Sequence, residues 1–392
     1  MTNTFSLHAQ ARAHERRWWI LAVLCFSLLV IVLDNTILNV AIPTIVRDLD
    51  ATNSQLQWMV DSYTLVFAGL LLTAGSLGDR FGRRGALQLG LALFGIGSLA
   101  SAFAGTADQL IATRAFMGIG GAFIMPATLS IITNVFPVNE RGKAIGVWAA
   151  TAGLAGVLGP LTGGFLLEHF YWGSIFLVNI PIVVTGLFAG VLLIPKSKDP
   201  AAPRLDPVGA VLSIAGLSAL LFGIIEAPQR GWGNSTILFA FAIGAVVIGG
   251  FFAWEARIDH PMLDVHFFAN PRFTAASMSI MFVFFAMFGS LFLLTQYFQF
   301  VLGYSPLETG LRFLPFALSM MILAPMSSRI VDRFGTKLVV GCGLTMVTLG
   351  LASMAQLDVG TAYWPDIIWR LVLMAAGMAL TMAPATESIM GS

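Results

Sequence analysis

Among the ionisable residues inside apolar runs, where a charge is expensive, Asp34, Asp61, Arg114 and Glu387 are the candidates for chemistry. On insertion scales each such group costs roughly 2.5–3.5 kcal/mol at the centre of a membrane-spanning helix, so its presence points to function. Carboxylates near a guanidinium can load and release a proton, because the cation favours the charged form while desolvation opposes it. Helical rise puts Asp34 about 24 Å along a helix that starts near Trp18, and Asp61 and Arg114 roughly 8–10 Å below the outer starts of theirs. All three therefore fall in the outer half of one bundle, as candidate proton-coupling residues. A static buried salt bridge is the competing reading. Glu387, near the inner end of its helix, has a second explanation in snorkelling to the headgroups.

The elements that must position these groups are membrane helices. With 57% apolar residues, 31 Phe and only 10% charged residues, and a mean hydropathy of +0.85, a soluble globule would have too little polar surface to present to water. The net charge of +1 says nothing about nucleic acid; the bilayer, and no nucleic acid, is the expected partner. Stretches of about 20 apolar residues are expected near 18–46, 55–77, 86–104, 109–133, 143–167, 173–195, 207–227, 236–255, 273–301, 306–328, 338–356 and 366–388, an all-α polytopic protein. Apart from Arg47, Arg230 and the intrahelical Arg114, Arg312 and Arg370, the basic residues fall on one side. The positive-inside rule then places the N-terminus in the cytoplasm of a multi-pass protein of the inner membrane. The first helix is too long for a cleaved leader and contains Asp34. Cys25 and Cys342, each in an apolar helix without a spacing partner, are expected as buried, inert thiols.

A short pattern occurs twice: Gly75-Ser-Leu-Gly-Asp79-Arg80-Phe81-Gly82-Arg83-Arg84, and the thinner Asp332-Arg333-Phe334-Gly335-Thr-Lys337. Arg114 with Pro126-Ala127-Thr128 is likewise echoed by Arg370 with Pro384-Ala385-Thr386. Such a duplication predicts two related bundles. The expected division is a six-helix bundle over 1–195, a linker with two inserted helices over 196–272, and a second bundle over 273–392 of which four helices are present. Gly75 and Gly82 permit close helix approach and a sharp turn, and Asp79, Arg80, Arg83 and Arg84, with Asp332 and Arg333 in the second copy, form a candidate gating loop that ion-pairs in one access state. Setting topology is the simpler role for the same arginines. Gly159-Pro160 is expected to break its helix, with Gly163 and Gly164 giving a surface for sliding or for plain packing.

The ninth stretch carries Phe285, Phe288, Phe292 and Gln296 on one face. Apolar burial and cation-π attraction suit that face to a small lipophilic substrate, cations included; lipid-facing Phe is the commoner use. No Walker sequence or His/Cys metal spacing occurs, and Gly118-Ile-Gly120-Gly121 lacks the strand of a dinucleotide loop. No cofactor and no metal is therefore expected, and the proton gradient is the expected energy source.

Together these motifs resemble the major facilitator superfamily, in its fourteen-helix drug:proton antiporter branch. Gly75 to Leu87 is similar to the signature loop between helices two and three, Leu33-Asp34-x-Thr36-x-Leu38-Asn39-Val40-Ala41-Ile42-Pro43 to the branch's first-helix motif, and Leu110-x-x-x-Arg114-x-x-x-Gly118-x-Gly120-Gly121-Ala122 to the fourth-helix motif. Gly146 through Gly159-Pro160-Leu-Thr-Gly163-Gly164 resembles the antiporter motif of the fifth helix, with Ala155 where Gly is usual. The resemblance implies parallel bundle repeats with substrate between them, and a secondary transporter, not an enzyme, exporting lipophilic drugs or antibiotics in exchange for protons. It also implies that the last two helices of the second bundle are absent after helix twelve. Export of an endogenous metabolite or self-made antibiotic, or a non-transporting truncated relic, are the alternatives.

Overall fold

The computed structural model describes residues 15–199, 206–259, 261 and 263–390, and every regular element among them is a helix. In chain order the α-helices are α1 (Arg17–Leu49), α2 (Asn53–Phe81), α3 (Arg83–Ala102), α4 (Ala107–Val135), α5 (Val138–His169), α6 (Ser174–Leu177), α7 (Asn179–Leu193), α8 (Pro207–Arg230), α9 (Ser235–Glu255), α10 (Pro271–Gln296), α11 (Pro306–Arg312), α12 (Leu314–Phe334), α13 (Thr336–Met354) and α14 (Ile368–Met390), with short 3-10 or π turns at Val265–Ala269, Tyr297–Val301 and Tyr363–Ile367. Among the described residues, 11 helical stretches are long and apolar enough to cross a bilayer. The expected fifth stretch lies in α5, several of whose side chains fall outside the described residues.

Local chemistry sets the helix starts. Thr52 with Gln55 and Ser305 with Glu308 form reciprocal capping boxes, and Thr106, Asp206 and Asn270 cap α4, α8 and α10 through their side chains. Pro207, Pro271 and Pro306 follow such caps at first helical positions, where a missing N–H costs nothing.

The chain packs into two compact units. One comprises Met1–Asn35, Thr44–Ala152 and Tyr171–Asp264; the other comprises Thr36–Pro43, Gly153–Phe170 and Val265–Ser392. In the first, α4 lies against both α2 and α3, and α8 rests on α2 and α9. The α3/α4 crossing is a backbone contact: a Cβ on Gly90 would stand 2.8 Å from the Gly120 carbonyl oxygen, and one on Gly120 would stand 2.7 Å from that of Gly90. Small residues are how membrane helices come this close. Near the other end of α2, Glu226 of α8 accepts from Ser54 Oγ and from Trp58 Nε1 (3.4 Å), which ties the inserted helix to α2. In the second unit α14 packs on α10, α12 and α13 around a core that includes Val283, Phe298, Phe313, Leu371 and Met374.

Four expectations change. Helix α2 runs on to Phe81, so Gly75 to Phe81 is its last turns and the reversal is confined to Gly82 at φ 131°. The tenth stretch is two helices that meet at Phe313, the second reaching Phe334. Pro160 does not break α5, which continues through it. Proline removes a single ladder bond, and the helix around it is held by backbone contacts in the second unit: Gly163 lies against Ile37, and a Cβ on Gly164 would stand 2.7 Å from the Pro306 carbonyl oxygen. Cys25 is buried as expected, but Cys342 is exposed, because α13 turns that face away from the core holding Val339, Gly343 and Val347.

Candidate functional site

Inside the first unit α4 delivers Arg114 to the face of α2. One turn further on, Gly118 allows this, since a Cβ there would lie 2.6 Å from the Tyr63 carbonyl oxygen. Arg114 is wholly buried and Asp34 is 2% exposed. Arg114 Nη1 donates to Asp34 Oδ2 in a buried ion pair. Its Nε donates to the Met59 carbonyl oxygen at 3.2 Å, and its guanidinium carbon stands 4.6 Å from the centre of the Tyr63 ring.

The other carboxylate oxygen is also held. Asn179, at the first position of α7, donates from Nδ2 to Asp34 Oδ1 (3.0 Å) and to Ser98 Oγ (3.1 Å), and Ser98 in turn donates to the Phe176 carbonyl oxygen (2.8 Å). Helices α1, α4 and α7 thus meet at one carboxylate, and α3 is joined to it through Asn179. Two atoms of this cluster, Arg114 Nη2 and Asn179 Oδ1, are buried with no hydrogen-bond partner among the described residues. Buried polar atoms are almost always satisfied, so these two are free to take a water or a new partner.

Of the expected coupling residues, the structure brings together Asp34 and Arg114. Asp61, half-buried on α2, makes no hydrogen bond or ion pair among the described residues. Glu387 belongs to α14, but its side chain lies outside the described residues. Asn179, Ser98 and Tyr63 are missing from the sequence reading. Asn179 could have been found as an amide in the apolar run Ile175 to Val184.

Of the residues expected to gate, Asp79, Arg83 and Arg84 are anchored within their own unit. Asp79 Oδ1 accepts from Arg83 Nε at 2.6 Å, across the Gly82 turn. The start of the linker lies along this corner: Arg83 N donates to the Ser197 carbonyl oxygen (2.9 Å), and Asp199 N donates to that of Asp79 (2.7 Å). Arg84 Nη1 donates to the carbonyls of Val191 and Ile194, at the C-terminal end of α7 where a cation is favoured. Gly75 packs against Pro126, and Arg80 is exposed with its guanidinium 5.8 Å from the Phe81 ring. In the second copy Asp332 and Arg333 are exposed; Arg333 approaches only the Phe334 ring, and Asp332 has no partner among the described residues.

The aromatic stripe of α10 lies opposite that helix's buried face of Ala276, Ser279, Val283, Ala286, Ser290 and Leu294. Phe285 is 81% exposed and Phe288 47% exposed, Phe292 is half-buried, and Gln296 Nε2 donates to its own helix at Phe292 O (3.4 Å). The stripe is not assembled into an enclosed site.

The sequence matches the family model described as Major Facilitator Superfamily over residues 24–392. The chain belongs to that superfamily. It is 37% identical over 382 residues to the "Multidrug efflux pump LfrA" of Mycolicibacterium smegmatis, a match that covers 97% of this chain and 75% of the relative. With the "Methyl viologen resistance protein SmvA" of Salmonella typhimurium it shares 35% identity over 379 residues, 96% of this chain and 76% of that one. Its fold is similar to that of a bacterial homologue of the lysosomal transporter Spinster in an inward-facing, unoccupied conformation, with TM-score 0.64 and 19% identity over 95% of this chain and 74% of the other. Members of this superfamily are transporters, and the all-helical architecture of the chain agrees with that.

Proposed function

We propose that this protein exports lipophilic drugs or antibiotics, aromatic cations among them, in exchange for protons, as a member of the fourteen-helix branch. The observation that carries the proposal is the buried Asp34 carboxylate held by Arg114 on one oxygen and Asn179 on the other. Drug export is supported by the relatives, named as a multidrug efflux pump and a methyl viologen resistance protein. The branch is supported by α8 and α9, an inserted pair after the first six spans.

In this reading Asp34 is the proton carrier. A proton arriving at Oδ2 competes with Arg114 Nη1 for the same oxygen, so loading releases the guanidinium, and its unpaired Nη2 and the Asn179 Oδ1 atom are the groups that rearrange to meet it. Breaking a buried pair while leaving one charge in place costs about 3–5 kcal/mol, a magnitude large enough to bias two access states strongly. Asp61, half-buried and unpaired, is the second carboxylate available to a proton or a cation. Asp79 and its Arg83 partner brace one access state, with Asp332 and Arg333 in a lesser role. Gly159, Pro160, Gly163 and Gly164 give α5 the close packing that a moving surface needs.

The test uses the protein reconstituted in vesicles with an imposed proton gradient. Drug accumulation should follow the gradient and collapse with an uncoupler. Accumulation unchanged by the uncoupler would remove the proton from the account and leave drug transport standing.

A further inference from the structure

The duplicated Asp-Arg-Phe-Gly pattern leaves a cleft at each copy. In the first unit a cavity of about 500 Å³ is lined by Phe81, Gly82, Arg84, Lys196 and Lys198, among others. In the second unit a cavity of about 590 Å³ is lined by Phe334, Gly335, Thr336 and Lys337, among others. The corner itself corresponds part by part, while Lys196 and Lys198 belong to the first cleft alone. Each cleft begins at a glycine with positive φ, 131° at Gly82 and 80° at Gly335, and each opens at a helix start that has no side-chain cap, α3 or α13. A base occupies the second helical position in both, Arg84 and Lys337. An exposed phenyl ring stands beside each, Phe81 at 74% and Phe334 at 56%.

The charges at the first cleft are not spent on carboxylates. Lys196 and Lys198 are exposed and make no hydrogen bond among the described residues, and Asp79 is engaged by Arg83. Arg84 is fixed in place by the carbonyls of Val191 and Ile194 through Nη1 alone, and it lines the cleft. Both clefts lie at ends of helices long and apolar enough to cross a bilayer, where a spanning helix meets the headgroups. Uncapped helix starts and clustered bases recognise a phosphate, and a bare aromatic ring at headgroup level recognises the lipid that carries it.

We propose that the two clefts are binding sites for the headgroup of an anionic phospholipid, the stronger at Arg84, Lys196 and Lys198 and the weaker at Lys337. A soluble phosphate would use the bases but not Phe81 and Phe334, so the lipid is the occupant these surfaces fit.

Native mass spectrometry of the detergent-purified full chain, titrated with phosphatidylglycerol, phosphatidylcholine or inorganic phosphate, tests this. Two phosphatidylglycerol molecules should be retained in preference to phosphatidylcholine. Each lysine near the surface contributes about fivefold in affinity, so Lys196→Gln with Lys198→Gln should weaken the tighter site about 25-fold, and Lys337→Gln the other about fivefold. The charge-preserving Lys196→Arg/Lys198→Arg protein should bind as the parent does, and Arg257→Gln should change nothing. Equal retention of phosphatidylcholine, unchanged binding by the double Gln protein, or displacement of the lipid by inorganic phosphate at equal concentration would each overturn the proposal.

Discussion

Asn179 Nδ2 reaches Asp34 Oδ1 at 3.0 Å, on the oxygen that Arg114 leaves free. Each carboxylate oxygen therefore has its own donor, and the position of the group does not depend on the cation alone. Removing one partner of a buried hydrogen bond costs the desolvation of the other, about 1–3 kcal/mol. Asn179→Ala should lower thermal stability by that amount and slow drug-driven proton exchange, whereas Asn179→Leu, which also crowds Ser98, should do more. Thermal unfolding of the purified variants with transport rates in vesicles checks both.

The ion pair itself is open to a double-mutant cycle. Arg114→Ala leaves a buried carboxylate uncompensated and should destabilise the protein by about 3–5 kcal/mol. Asp34→Ala combined with Arg114→Ala removes both charges and should recover part of that loss. Additive effects in the thermal unfolding of the three variants would mean that the residues do not interact.

Much of this arrangement was legible in the chain. The apolar runs gave the spans, because a membrane helix writes its length directly into composition, and Asp34 and Arg114 stood out because charge inside an apolar run is costly. Asn179 and Ser98 did not, since neutral polar side chains carry a small insertion cost and their partners come from other helices. Pro160 misled because a proline signals a break locally, whereas continuation of the helix is decided by neighbours such as Ile37 and Leu307. The Phe285 stripe misled in a related way: periodicity identifies a face but does not say whether core or lipid meets it.

The glycines of α5 make a graded prediction. A Cβ on Gly164 would meet the backbone of Pro306 and Leu307 at 2.7 and 2.9 Å, while one on Gly156 would meet nothing within 4 Å. Gly164→Ala should cost about 1–3 kcal/mol through overpacking and should reduce transport, and Gly156→Ala should be nearly silent. Comparable losses from both, measured by thermal unfolding and vesicle uptake, would mean that close approach at Gly164 is unimportant.

At the duplicated corners the two acids differ in what they hold. Asp79 is paired with Arg83 at 2.6 Å and its carbonyl is bonded to the linker, whereas Asp332 is exposed and unpartnered among the described residues. Asp79→Asn should slow turnover while sparing drug affinity, and Asp332→Asn should have little effect on either. A part-exposed pair contributes only about 0.2–1 kcal/mol to stability, so unfolding should barely register the change while rates do. Equal and mild losses from both variants would reduce these corners to topology signals.

The central claim is that Asp34 carries the proton. Vesicles containing the Asp34→Asn protein, loaded with a pH-sensitive dye and challenged with methyl viologen or another aromatic cation, report it directly. Drug-dependent proton movement should be abolished while membrane insertion and drug binding persist. Undiminished drug-dependent proton release from that variant would contradict the account.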